Sequence, residues 1–123
     1  MKILITGGGG FIGEKLARRL AGDATLRGQK ISAMVLMDVA EPATPEAPFA
    51  VTPVACDISD EPAVQAMFAD HGPFDVIYHL AAVVSGAAEA EFDLGMRVNL
   101  MGSIHLFEAA RRQGNCPVVV YAS

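Results

Sequence analysis

The sequence predicts an α/β fold, a doubly wound parallel sheet of strand order 3-2-1-4-5, and three observations carry that expectation. Five short runs are apolar throughout and read as strands buried on both faces. They alternate with stretches whose apolar residues recur at helical spacing. Four consecutive glycines, Gly7 to Gly10, stand between the first strand and the first helix, where a turn can use them and a helix or strand interior cannot. Right-handed crossovers then set the strand order.

Residues 2–6 (KILIT) form the first strand. Over 11–21 the period changes: Ile12, Leu16 and Leu20 share one stripe, with Lys15, Arg18 and Arg19 on other faces, as in an amphipathic helix. Residues 22–30 read as a polar connector and 31–38 as the second strand. Three prolines make 39–49 a surface loop. Residues 50–57 are the third strand, and Pro53, which cannot donate to a ladder, suits a sheet edge. A short helix over 59–72 opens on cap residues and acids and closes on Gly72. Residues 74–82 form the fourth strand and 91–114 a long helix ending in Arg111, Arg112 and Gly114. The run PVVVYAS, 117–123, is the fifth strand, expected to be buried. With no repeat, low-complexity tract or linker, residues 1–123 read as one unit.

The bulk properties narrow the function. A chain of 123 residues is at most one domain, and a hydrophobic fraction of 52% can fill its core. A formal charge of −5 and the lack of any basic run argue against nucleic acid or an anionic membrane surface as partner. No apolar run approaches the ~20 residues that span a bilayer, and nothing resembles a secretory signal, so the expected location is cytoplasmic. Cys56 and Cys116 both fall in apolar runs and read as buried free thiols, with a disulfide or reactive pair as the alternative.

The glycines find their use in the spacing G-x-x-G-x-x-G of Gly7, Gly10 and Gly13. Between a strand and a helix each position has a physical task. Gly7 turns the chain out of the strand, Gly10 lets a pyrophosphate approach the backbone, and Gly13 lets the helix lie close on the sheet. Phe11, Ile12 and Gly13 open the helix, so their N–H groups and the helix dipole face an anion. A dinucleotide site of this Rossmann type also needs an acid at the end of the second strand, and Asp38 stands there. Val39 and Ala40 follow it, with no cation to meet a 2′-phosphate, so NAD is favoured over NADP. A plain turn or cap aspartate is the alternative reading of Asp38.

Together these stretches resemble the N-terminal part of an extended short-chain dehydrogenase/reductase, the NAD-dependent epimerase/dehydratase family, along the whole chain. TGGGGFIG matches that family's T-G-x-x-G-x-x-G, and Asp38 its ribose-binding acid. CDISD resembles the segment after the third strand, which implies that Asp57 and Ile58 flank the adenine. HLAA resembles the end of strand four, so Leu80, Ala81 and Ala82 would pass the nicotinamide ribose. RVNLMGS resembles a mid-helix V-N-x-x-G, making Asn99 the family's active-site asparagine. AAVVSGAAEAEFDLGMRVN is similar to the D-erythronate dehydrogenase branch, in which Ser85 and Gly86 would lie beside the substrate. Ser123 would neighbour the position of the catalytic serine or threonine.

Other residues weigh less. His71, His79 and His105 are not at metal-ligand spacing, so no metal site is expected. His79 in a strand reads as packed or cofactor-adjacent, and His105 as interfacial or core. Asp57 can equally be a turn residue. Asn99 is unfavourable within a helix, which points to a specific role. On the long helix Leu94, Val98 and Met101 form one apolar stripe and Met96, Leu100, Ile104 and Phe107 another. One covers the sheet; the other suits a homodimer through 91–113, which the resemblance implies, or further chain.

The family's Tyr-x-x-x-Lys pair is not present: Tyr78 has Ala82 four residues on, and Tyr121 has two residues after it. No catalytic residue is therefore assigned, and the segment alone is expected to be inactive, truncated after its fifth strand. The expectation is the NAD-binding segment of an oxidoreductase acting on a sugar, sugar acid or nucleotide sugar; a non-catalytic NAD-sensing regulatory module is the competing class. A P-loop hydrolase is excluded because no Lys-Ser/Thr closes the glycine loop.

Overall fold

The structure is a computed structural model, and it describes residues 1–82 and 90–122. Five parallel strands form the central sheet: β1 (Lys2–Thr6), β4 (Ala33–Asp38), β5 (Ala50–Ala55), β6 (Val76–His79) and β7 (Val118–Tyr121). Their spatial order is β5-β4-β1-β6-β7. In order of appearance among these five that is 3-2-1-4-5, as expected, with all four pairings parallel.

Alternation along β1 splits the core into two layers. Ile3 and Ile5 face helix α1 (Phe11–Asp23), packing with Ala17, Leu20, Met34 and Leu36. Leu4 faces the opposite way, with Val35, Ile77, Val64, Phe68 and Leu106. That second layer is roofed by α2 (Glu61–His71) and by α4 (Gly102–Arg112). Asp60 starts α2 by accepting the Ala63 N–H at 3.2 Å, a side-chain N-cap.

Five features differ from the sequence expectation, each for a local reason. Residues 22–30 are not featureless: β2 (Thr25–Leu26) and β3 (Gln29–Lys30) pair antiparallel about Arg27 and Gly28, both at positive φ. An arginine in that conformation hides the hairpin signal. On α1 the buried stripe is Gly13, Ala17, Leu20 and Ala21, whereas Ile12 is 66% exposed. Gly13 sets the closest approach, so the stripe rotates toward the small residues.

The long helix is three segments: α3 (Phe92–Gly95), a π-helical stretch Met96–Met101, and α4. The wider i→i+5 spacing rotates later side chains, and Met101 joins Met96, Leu100, Ile104 and Phe107 on the exposed face instead of Leu94 and Val98. Strand β7 lies at the sheet edge with all four residues exposed, not buried. Cys116, just before it, is exposed too, while Cys56 is buried; both are free thiols. No helix among the described residues is long and apolar enough to cross a membrane.

Candidate functional site

The C-terminal ends of the parallel strands open on a cleft of about 450 Å³. Parallel strands end together, and here the order reverses between β4 and β6 across β1, which leaves a crevice at that edge.

Gly7 leaves β1 at φ +72°, a conformation that disfavours any side chain. A Cβ there would stand 2.9 Å from the Ala81 nitrogen, so the loop lies directly on the end of β6. At Gly13 a Cβ would come within 2.2 Å of the Gly7 carbonyl oxygen, which fixes α1 against the turn. Gly10, the N-cap of α1, has ordinary extended backbone and offers no side-chain cap. The first-turn N–H groups are thus left to a partner outside the helix, in contrast to α2 with its Asp60 cap.

Asp38 faces this loop from the end of β4. Its Oδ2 accepts the Gly9 N–H at 2.9 Å and its Oδ1 the Val39 N–H at 2.8 Å. Those two bonds leave acceptor capacity on both oxygens for hydroxyl donors. Asp57 accepts both the hydroxyl (2.7 Å) and the N–H (2.9 Å) of Ser59 on Oδ1, the contacts of a turn residue. The same Ser59 bonds hold the Asp57 carboxyl below its ordinary range, with the Arg97 charge adding to them. Burial, then the charges of Asp57 and Asp60, push the Cys56 thiol up and keep it neutral.

Of the residues singled out from sequence, the fold brings Gly7, Gly10, Asp38, Asp57, Ile58, Leu80, Ala81 and Ala82 around one cleft. Phe11, Ile12 and Gly13 stand behind it as the first turn of α1, with the Phe11 and Ile12 side chains exposed. Asn99 sits in the π-helical stretch, outside the lining, with its carbonyl accepting the Ser103 hydroxyl at 2.7 Å. Ser85, Gly86 and Ser123 lie outside the described residues. Among the lining residues that the sequence reading did not single out are Met37, Ser59 and Arg97. Arg97 is three residues past Leu94, on the same face, but a cation beside an apolar stripe reads as its solvated margin.

The charged lining residues are Asp38, Asp57 and Arg97. Carboxylates at the strand ends, an uncapped helix start and a glycine loop together fit a dinucleotide: hydroxyls at Asp38, diphosphate at the α1 N-terminus, a flat apolar base against Ile58. No group of three or more His, Cys, Asp or Glu side chains that could hold a metal occurs among the described residues.

Comparison with known proteins gives the family and the fold. Residues 3–123 match the model of a family described as the NAD dependent epimerase/dehydratase family. The chain is 47% identical to D-erythronate dehydrogenase of Cupriavidus necator over 129 aligned residues, covering all of this chain and 38% of that protein. Among solved structures, a nucleoside-diphosphate-sugar epimerase from Agrobacterium tumefaciens superposes with a TM-score of 0.90 at 39% identity, over 100% of this chain and 37% of that one. A uronate dehydrogenase variant from Agrobacterium tumefaciens, complexed with NAD, gives 0.76 at 32% identity, over 99% and 40%. The chain therefore spans about two fifths of the length of each of these relatives.

Proposed function

This chain belongs to the NAD dependent epimerase/dehydratase family, and on that premise we propose that its cleft holds the adenosine and diphosphate of NAD within an oxidoreductase acting on a sugar-type substrate. The observation that carries the reading is the pairing of Asp38 with the uncapped start of α1 across the glycine loop. Asp38 would accept the ribose hydroxyls, the Phe11, Ile12 and Gly13 N–H groups would meet the diphosphate, and Asp57 with Ile58 would flank the adenine. Leu80, Ala81 and Ala82 would guide the far end of the cofactor along the end of β6, toward Asn99.

When bound, NAD supplies hydride acceptance and return. What this chain contributes is binding, orientation and a carboxylate at Asp38 that repels a 2′-phosphate. The substrate class we infer is a sugar acid, since the 47% identical relative is D-erythronate dehydrogenase, with Ser85, Gly86 and Ser123 beside the substrate. The exposed stripe of the 91–113 helix is the surface we assign to a homodimer, in the cytoplasm.

Titration of the purified protein with NAD, NADP and ADP-ribose tests the reading. Saturable binding of NAD and ADP-ribose, with NADP at least about tenfold weaker, is the expected result. Asp38→Ala should weaken NAD by about tenfold, the loss of a charge-assisted hydrogen bond. Absence of binding by all three nucleotides overturns the proposal, and equal binding of NAD and NADP removes Asp38 from it.

A further inference from the structure

His79 is the last residue of β6 and is almost fully buried, yet every polar atom of its ring is engaged. Its Nδ1 lies 2.8 Å from Thr6 Oγ1, and its Nε2 lies 2.8 Å from Ser103 Oγ. The register explains the first contact, because Thr6 and His79 are paired neighbours whose side chains point to the same face of the sheet. Ser103, in the first turn of α4, reaches down from the roof.

The direction of each hydrogen bond follows from counting. Thr6 Oγ1 accepts the N–H groups of Leu80 and Ala81, both at 3.1 Å, the Leu80 N–H being shared with the Thr6 carbonyl at 3.2 Å. With these two donors facing its lone pairs, its proton is directed to His79 Nδ1, which accepts. At the other end, the Asn99 carbonyl can only accept, so the Ser103 hydroxyl donates to it at 2.7 Å. Ser103 Oγ is thereby free to accept from Nε2–H. The Asn99 carbonyl fixes the direction at the Ser103 end, and the arrangement about Thr6 agrees with it. The bonds run one way, from the Leu80 and Ala81 amides through Thr6, His79 and Ser103 to the Asn99 carbonyl, and aligned bonds in a buried chain reinforce one another.

We infer that His79 is a positioning residue, held as the neutral Nε2–H tautomer, that ties the end of β6 lining the cleft to the π-helical turn bearing Asn99. Leu80 and Ala81 line the cleft directly. The Thr6 hydroxyl holds the Ala81 amide, and shares the Leu80 amide with its own carbonyl, while its proton goes to His79. Tyr121 stacks on the ring at 5.3 Å and Phe107 packs perpendicular to it at 5.9 Å, the two aromatic rings themselves 5.8 Å apart, so the three rings form one cluster. In keeping with a neutral ring, burial holds the His79 pKa down at about 4. The tautomer stands whatever the cleft binds; its consequence for affinity rests on the NAD reading above.

The test combines a spectroscopic and a binding readout. Long-range proton–nitrogen correlations on the purified wild-type protein near neutral pH should show a protonated Nε2 and an unprotonated Nδ1 for His79. A protonated Nδ1, an imidazolium or a mixture of tautomers overturns the inference without recourse to any variant. His79→Asn and His79→Gln then separate the two halves. An Asn carbonyl can take the place of Nδ1 and keep Thr6 satisfied, whereas a Gln amide can take the place of Nε2 and reaches only Ser103. NAD affinity should fall about tenfold in His79→Gln and stay within about threefold in His79→Asn, the scale of one hydrogen bond. Equal affinities in wild type and both variants, or equal losses in the two variants, overturn the link to the cleft. Failure of the wild-type protein to bind NAD counts against the reading of the cleft, while the tautomer measurement still decides the inference.

Discussion

At the scale of single residues, Asp38 is asked to do two things at once. It organises the glycine loop through Gly9 and its own successor Val39, and it offers acceptors to the cleft. Val39 lines the same cleft, so a cation placed there would meet a phosphate on the ribose. The double variant Asp38→Ala, Val39→Arg is expected to reverse the preference between NAD and NADP; unchanged selectivity in a binding titration would remove Asp38 as its determinant. His79 gives a second prediction. Its ordinary pKa is 6.5 and burial lowers it to about 4 in the folded protein. Between those values the unfolded chain holds the proton and the folded chain does not, so stability falls as pH drops from about 6.5 to about 4, by up to about 3 kcal/mol. Above 6.5 the group contributes no slope. Urea unfolding at a series of pH values should show this slope in wild type and its loss in His79→Gln. The glycine spacing and Asp38 were legible in sequence because backbone approach and charge leave residue-type signatures. The partners of His79 were not, because Thr6 and Ser103 are ordinary residues until the sheet and helix bring them to one ring.

At the scale of elements, the turn after β1 and the start of α1 separate folding from binding. A Cβ at Gly13 would overlap the Gly7 carbonyl at 2.2 Å, a backbone clash that nothing flexible relieves. Gly13→Ala should cost at least about 3 kcal/mol in chemical denaturation. At Gly10 the nearest protein atom would be 3.3 Å away, so Gly10→Ala should change stability by less than about 1 kcal/mol. Its larger counterpart Gly10→Val is expected to abolish NAD binding, measured in the same titration. For α2, removing the side-chain cap by Asp60→Ala should cost about 1 kcal/mol. The five strands of the main sheet and the helices beside them were readable from apolar pattern, within a few residues at their ends. The π-helical stretch was not. Hydrophobic spacing assumes a uniform turn, and one wide turn reassigns Met101 from the sheet-facing stripe to the exposed one.

For the whole molecule, the layers cover β1, β4 and β6 well, while among the described residues the face of Met96, Leu100, Met101, Ile104 and Phe107 and the edge strand β7 stand exposed. If the helical face joins two copies, as proposed above, Leu100→Glu with Ile104→Glu should convert a dimer to a monomer in sedimentation, with little loss of stability because both residues are about half exposed already. A wild-type monomer would discard that assignment. The sequence by itself determined the fold class, the strand order and the glycine turn between β1 and α1, because apolar period, proline and glycine spacing are local chemical facts that act over a few residues. Only the tertiary structure decided which residues share the cleft, that Arg97 faces it, that Ile12 and Cys116 are exposed, and that His79 is wired to both Thr6 and Ser103. Those are contacts between residues tens of positions apart, and their distances and donor–acceptor directions exist only once the sheet and its helices have packed.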